Sequence, residues 1–160
     1  MKAYQIAGIF ASALILFAAS LQLHASDAPH LQFRLVAEAA DTAPADTLAD
    51  STNNKASLHV RREVLLDETA ISSATVTKAP MVGGVQIEVT FTEAGAKRFA
   101  EITGANIGKR LAMIFDGKVL SAPTIRSVIH DKAVITGQLT TAEAEVVANA
   151  LNASKGTHHN

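Results

Sequence analysis

The stretch LAMIFDGKVLSAP, residues 111–123, reads as a strand, a two-residue turn and a second strand cut short by proline. An Asp-Gly pair between strand-forming residues signals a tight hairpin. A type I′ turn needs positive φ at both central positions, which Asp tolerates and Gly accepts freely. That reading accounts for Asp116 without catalysis. A catalytic carboxylate needs a second carboxylate, a histidine or a metal beside it, and the neighbouring sequence offers only Lys118. The leading strand, RLAMIF, is apolar on both faces, which suits a central strand rather than an edge.

Working outward from the hairpin, AVITGQL (residues 133–139) reads as another strand. LTTAEAEVVANALNASKG follows, opening with a Thr140-x-x-Glu143 capping box, and Leu139 is placed to staple against Ala144. Ala144, Val147, Ala148 and Leu151 keep the i, i+3, i+4, i+7 spacing of an amphipathic helix. On the other side, VQIEVTF puts Val85, Ile87, Val89 and Phe91 on one face and Gln86, Glu88 and Thr90 on the other, an antiparallel strand with one wet side. Gly83-Gly84 supplies the turn back from TVTKAPM. Thr92 is the expected cap of the next helix, with Glu93 at its positive end. Gly95, Phe99 and Ile102 share a side of that helix, and Gly104 is expected to stop it. Gly95 weakens the helix by about 1 kcal/mol relative to Ala, so its expected use is a close approach of helix and sheet.

The order from Val85 onward is strand, helix, hairpin, strand, helix. It predicts an α+β fold: a largely antiparallel sheet with two main helices packed on one face. Phe99, Ile102, Val147 and Leu151 should draw those helices onto the side bearing Val85, Ile87, Val89 and Phe91.

The N-terminal half is less regular. LQFRLVAE (residues 31–38) alternates like a strand, and LHVRREVLL returns to strand. DETAISSA is expected to make one short helical turn capped by Asp67. Between them, residues 39–57 are rich in Ala, Asp and Thr with almost no large apolar side chain, and are expected to form a long flexible loop. Residues 1–25 differ again: Lys2, the uncharged run IAGIFASALILFAASL, then Leu23-His24-Ala25 make a secretory signal peptide. Cleavage after Ala25 or after Ser20 and retention as a membrane anchor through residues 6–23 are the alternatives. The expected organisation is a signal peptide at 1–25, a first strand region at 26–38, the loop at 39–57, the α+β domain at 58–153 and a disordered tail at 154–160.

Composition removes several function classes. With 18% charged residues and a formal charge of -1, the chain has no electrostatic case for binding nucleic acid. The pairs Arg61-Arg62, Lys97-Arg98 and Lys109-Arg110 are expected on solvated faces, since acids are interspersed with them. Cysteine is absent, so neither a disulfide framework nor a cysteine-linked lipid is available. His30, His59 and His130 are isolated, without the spacing that places two metal ligands on one face, and His158-His159 sits in the tail. Ser121 lacks a G-x-S-x-G elbow. Gly104 to Gly108 is too short for a phosphate loop and follows a helix instead of preceding one. No catalytic residues, cofactor or metal site are expected.

The series LQFRLV, EVLLDETAISSATV, VQIEVTFTEAGAKRFAEIT, GKRLAMIFDGKVLSAPTI and ITGQLTTAEAEVVANAL closely resembles the head part of the first periplasmic domain of SecD and SecDF, membrane proteins that act with the Sec translocon. The resemblance runs from about Leu31 to Leu151 and is most specific at EAGAKRF and LAMIFDGKVLSAP. It departs at His130-Asp131-Lys132, where the family has a glycine-rich turn, and at Gln138-Leu139, where the family ends the strand with Asn-Phe. The family's multiple membrane spans and the base part that precedes the head have no counterpart in these motifs, so proton-driven transport is not implied. The resemblance implies a head-like module that contacts polypeptide emerging from the translocon.

The expectation is therefore an exported, free-standing, non-enzymatic module of the periplasm, with unfolded or translocating polypeptide as its partner. The alternative is an accessory module that docks onto an envelope protein complex. Contact with a membrane is expected only through the N-terminal segment. The sheet face away from the helices, carrying Gln86, Glu88, Thr90 and, if its strand pairs in register, Gln138, is the candidate binding surface. An ordinary solvated sheet face would show the same residues.

Overall fold

The computed structural model describes residues 30–50, 56–79 and 84–153. The expected signal peptide, the tail and His158-His159 lie outside the described residues. In chain order the elements are β1 (Leu31–Leu35), β2 (Ala45–Ala49), β3 (Ser57–Arg61), β4 (Leu66–Asp67), a 3-10 turn (Glu68–Ala70), β5 (Ile71–Lys78) and β6 (Val85–Phe91), then α1 (Glu93–Ala105), β7 (Leu111–Phe115), β8 (Lys118–Ser121), β9 (Lys132–Thr136) and α2 (Thr141–Ala153). The fold is α+β, and the paired strands run antiparallel. Among the described residues they fall into three sheets, ordered β4-β1-β7-β8, β2-β3 and β5-β6-β9.

The core explains this division. Ile87, Val89 and Phe91 on β6 share one buried cluster with Phe99 and Ile102 of α1 and Val147 and Leu151 of α2, so both helices pack on the expected face; Val85 is only partly buried at its margin. Leu31, Phe33 and Leu35 of β1, with Leu111, Met113 and Phe115 of β7, join the same cluster from the four-stranded sheet. Phe33, Phe91 and Phe99 meet at its centre, with ring centroids 4.5–6.0 Å apart. The alternate β7 residues Ala112 and Ile114 face the other way, into a second cluster with Val60 and Val119. Leu48 of β2 and Leu58 of β3 pack against that cluster. RLAMIF is apolar on both faces because β7 lies inside its sheet, with the main core on one side and the β2–β3 ribbon on the other.

The ribbon corrects one expectation. Residues 45–49, assigned to the flexible loop, form a strand paired residue for residue with β3 from Ala45↔Arg61 to Ala49↔Ser57. Its anchor is electrostatic. Arg34 on β1 is only 6% exposed; its Nη2 donates to Asp46 Oδ2 at 2.7 Å, and its Nε donates to the Arg61 carbonyl. Asp46 also accepts from Arg62 Nε at 2.8 Å, and Arg61 grips Asp41 through two hydrogen bonds of 2.9 and 2.6 Å. Arg61 is thus held in an ion pair and not on a freely solvated face. The LHVRREVLL segment is also not one strand: it breaks after Arg61 and resumes as β4 at Leu66.

Local signals mostly hold. Asp116 and Gly117 have φ of 47° and 77°, the left-handed pair a type I′ turn demands. Asp116 N–H donates to the His30 carbonyl, and Asp116 Oδ1 accepts from the His30 N–H, both at 3.1 Å. The aspartate closes the turn and ties the start of β1 to it. Asp67 caps the 3-10 turn by accepting from Thr69 N–H. Thr92 Oγ1 accepts from Gly95 N–H at 3.1 Å, and Thr140 and Glu143 form the reciprocal capping box.

Two glycines behave differently from expectation. Gly104 does not stop α1, which continues to Ala105 and is capped at Asn106, whose Nδ2 donates to the Ile102 carbonyl at 2.8 Å. The reversal comes later, at Gly108 with φ of 88°. Gly95 permits a close approach, but to the 3-10 turn rather than to a sheet: a Cβ there would lie 2.3 Å from the Ala70 carbonyl oxygen.

Candidate functional site

Three strands build the polar face of β5-β6-β9. Alternation along β6 sends Ile87, Val89 and Phe91 inward, so Gln86, Glu88 and Thr90 stand on the opposite side, each half-buried. Strand register supplies their neighbours. Thr77, Gln86 and Thr136 form one cross-strand row; Thr75, Glu88 and Val134 the next; Ser73, Thr90 and Lys132 the third. Sequence reasoning found the middle column and missed the outer two. The signal was present in the Ser-x-Thr-x-Thr alternation of SSATVTK, which pairs Ser73, Thr75 and Thr77 with the β6 residues once the hairpin register is known.

The charge on this face is balanced. Lys132 Nζ donates to Glu88 Oε1 at 2.7 Å, reaching diagonally across the β6–β9 pair. That hydrogen bond, with the carboxylate's charge behind it, raises the Lys132 pKa above its ordinary value. What remains is a set of hydroxyls, one carboxamide and the exposed Val134. Thr77 Oγ1 is buried, and among the described residues it finds no hydrogen-bond partner.

Gln138 does not belong to this face. β9 ends at Thr136, opposite Gln86, and Gln138 lies two residues beyond it, exposed. The chain must leave the sheet there because Leu139 packs against the core while Thr140 begins the cap of α2.

The other candidates stay apart. Ser121 is buried in β8 at 5% exposure. The His59 ring nitrogen Nδ1 shares a 3.0 Å hydrogen bond with Thr47 Oγ1, and His30 Nδ1 lies 3.4 Å from Glu68 Oε1. No three His, Asp or Glu side chains among the described residues converge as metal ligands would. Nor is any helix among them long and apolar enough to cross a membrane.

Residues 41–155 match the family model described as SecDF, P1 head subdomain. The chain belongs to this family. It is similar to the protein translocase subunit SecD of Elusimicrobium minutum, 34% identical over 119 residues that make up 74% of this chain and 25% of the relative. It also resembles the SecDF subunit of Thermus thermophilus, 49% identical over 70 residues, 43% of this chain and 10% of that one. A solved structure of a membrane component SecDF that enhances protein export superposes on 77% of the SecDF-head chain and 61% of its own, with a TM-score of 0.63 and 32% identity. A SecDF crystal structure in a super-membrane-facing form gives a TM-score of 0.64 at 31% identity over 77% of this chain and 18% of that one. The P1 head match thus spans about a quarter or less of these SecD and SecDF relatives.

Proposed function

We propose that this SecDF P1 head domain is an exported, non-enzymatic module that binds extended polypeptide in the periplasm during Sec-dependent protein export. The observation that carries the reading is the largely polar face of β5-β6-β9: three cross-strand rows dominated by hydroxyls, with one carboxamide, one valine and the Glu88–Lys132 ion pair, and both helices packed on the opposite side. A surface of this kind offers hydrogen bonds without a demand for charge or for one side-chain shape. It can hold a chain loosely whatever its sequence, as a translocation partner requires. Its relatives' names, translocase subunits SecD and SecDF, support the same direction.

The test is binding of an unfolded exported protein to wild-type domain and to a Gln86→Glu, Glu88→Lys double variant. The variant breaks the Glu88–Lys132 pair, moves the face from neutral to a net positive charge and places a second cation beside Lys132. Because the Glu88–Lys132 pair is largely solvated, the thermal midpoint should barely move, while affinity changes. Capture of folded envelope proteins with indifference to unfolded chains would instead support an accessory module docking onto an envelope complex.

A further inference from the structure

The three-stranded sheet has two edges, β5 and β9, and they are treated differently. On β5, the Asn152 side chain at the end of α2 clamps Ala74: Ala74 N–H donates to Asn152 Oδ1 at 3.0 Å, and Asn152 Nδ2 donates to the Ala74 carbonyl at 2.8 Å. Those are the two hydrogen bonds that a peptide group of an added strand would make. The carboxamide therefore occupies the place of a neighbouring chain and blunts the edge, a common protection against strand addition.

Among the described residues, no such clamp closes β9. Phe91 N–H donates to the Asp131 carbonyl at 3.2 Å, which fixes the phase of the β6–β9 ladder. Ala133 and Ile135 then exchange hydrogen bonds with Val89 and Ile87, and the N–H and C=O groups of Lys132, Val134 and Thr136 turn outward. Lysine often guards an open edge, but Lys132 reaches over the sheet to Glu88 instead. Val134 is 41% exposed. Beside this edge runs a mostly apolar groove between β9 and residues 123–129, lined by Phe99, Met113, Ile125 and Ala133 together with the polar Thr124 and Arg126.

An outward row of alternating donors and acceptors next to a mostly apolar trough has one natural complement. We propose that the β9 edge and its groove take an extended polypeptide as an added strand. Its backbone pairs with Val134 and its neighbours, and every second side chain, small and apolar, enters the groove. Backbone pairing reads no sequence; besides the Glu88–Lys132 pair, the rim carries the exposed Arg126, which favours a chain that is not strongly basic. The inference rests on the polypeptide-binding function proposed above and moves its main contact from the sheet face to the sheet edge.

The probe is a short fluorescein-labelled peptide of alternating valine and serine, with two derivatives N-methylated at alternate residues in either phase, titrated by anisotropy. Methylation of the residues whose N–H groups face β9 should weaken binding by about tenfold or more, the loss of two or so backbone hydrogen bonds; methylation in the other phase should leave it unchanged. Val134→Pro, which deletes an outward N–H at a position where an edge tolerates proline, should reproduce the loss with the circular-dichroism spectrum retained. Should the variant fail to fold, the methylated peptides still decide the matter on wild-type protein. Equal binding of both methylated peptides overturns the edge assignment and leaves the polypeptide-binding function standing. Absence of binding by this peptide and by any unfolded exported protein overturns both. A concentration-dependent dimer that N-methylated peptide does not disperse and Val134→Pro abolishes would give the edge to a second copy of the chain, and would also overturn the proposal.

Discussion

Gly95→Ala should destabilise this domain although the residue sits inside a helix, where the exchange ordinarily stabilises by about 1 kcal/mol. The new Cβ would lie 2.3 Å from the Ala70 carbonyl oxygen and 2.9 Å from the Ala70 Cβ. Neither atom can swing aside. The Ala70 carbonyl accepts from Thr92 N–H at 2.8 Å and from Thr92 Oγ1 at 3.3 Å, and Thr92 Oγ1 is itself the cap that accepts from Gly95 N–H. Relief requires the start of α1 to lift from the 3-10 turn by about 1 Å, the shortfall from ordinary van der Waals contact. Overpacking of this kind costs about 1–3 kcal/mol, and loosening the hydrogen bonds at the cap adds roughly 1 kcal/mol. Set against the helix-propensity gain, the net loss is about 1–3 kcal/mol, or roughly 5–15 °C in thermal midpoint for a domain of this size. Gly104→Ala is the internal control. Its Cβ meets only Val128 Cγ2 at an ordinary 3.5 Å, so it should leave the midpoint unchanged or raise it by a few degrees. Thermal denaturation of the two variants and wild type by circular dichroism separates them. A Gly95→Ala protein as stable as wild type would refute the account of the α1 contact.

At the hairpin, Gly117→Ala should cost about 1–2 kcal/mol from positive φ alone, since a Cβ there meets nothing within 4 Å. Asp116→Asn should be nearly silent in urea denaturation, because Asn-Gly suits the same turn and its Oδ1 can still accept from His30 N–H; a lost binding activity with unchanged stability would mean Asp116 does more than turn the chain. Arg34, followed by Arg62, holds the Asp46 carboxyl below the ordinary value of 3.8, and Arg61 does the same for Asp41. A depressed carboxylate pKa stabilises the fold above the unfolded value and loses that effect as pH falls through the folded one. Hydrogen-exchange protection at β2 and β3, taken relative to the intrinsic amide rate at each pH, should therefore fall below about pH 4, where wild type converges on an Asp41→Asn, Asp46→Asn variant; a difference between the two that persists undiminished at lower pH would remove the carboxylates from the ribbon's anchor. Finally, protein recovered from the cell envelope should have an intact mass corresponding to a start at or near Ser26, whereas a full-length membrane-bound product would favour an anchor.

Whatever depends on neighbours in the chain was legible in the sequence by itself. The Asp-Gly turn, the Thr92 and Thr140 caps, the two amphipathic helices and the alternation of β6 are each set by a few consecutive residues, through φ preferences, short side chain–backbone bonds and periodicity. The double apolarity of β7 pointed to a central strand, although the expected sheet had helices on one face only. What covers the second side was decided only in three dimensions. Residues 45–49 have weak strand propensity, and they are a strand because Arg34, Arg61 and Arg62 arrive from other elements to neutralise Asp41 and Asp46 while Leu48 finds an apolar cluster to join. The same limit applies to the candidate site. Alternation named Gln86, Glu88 and Thr90, but Thr75, Thr77 and Lys132 joined them through inter-strand register, and Gln138 left because core packing of Leu139 ended its strand two residues early. The open edge of β9 and the closed edge of β5 differ by one asparagine, 78 residues distant from the alanine it clamps. Local chemistry chose the elements; long-range pairing chose which of their faces and edges met, because a strand's partner is set by burial and hydrogen bonding across distances in the chain that no short pattern records.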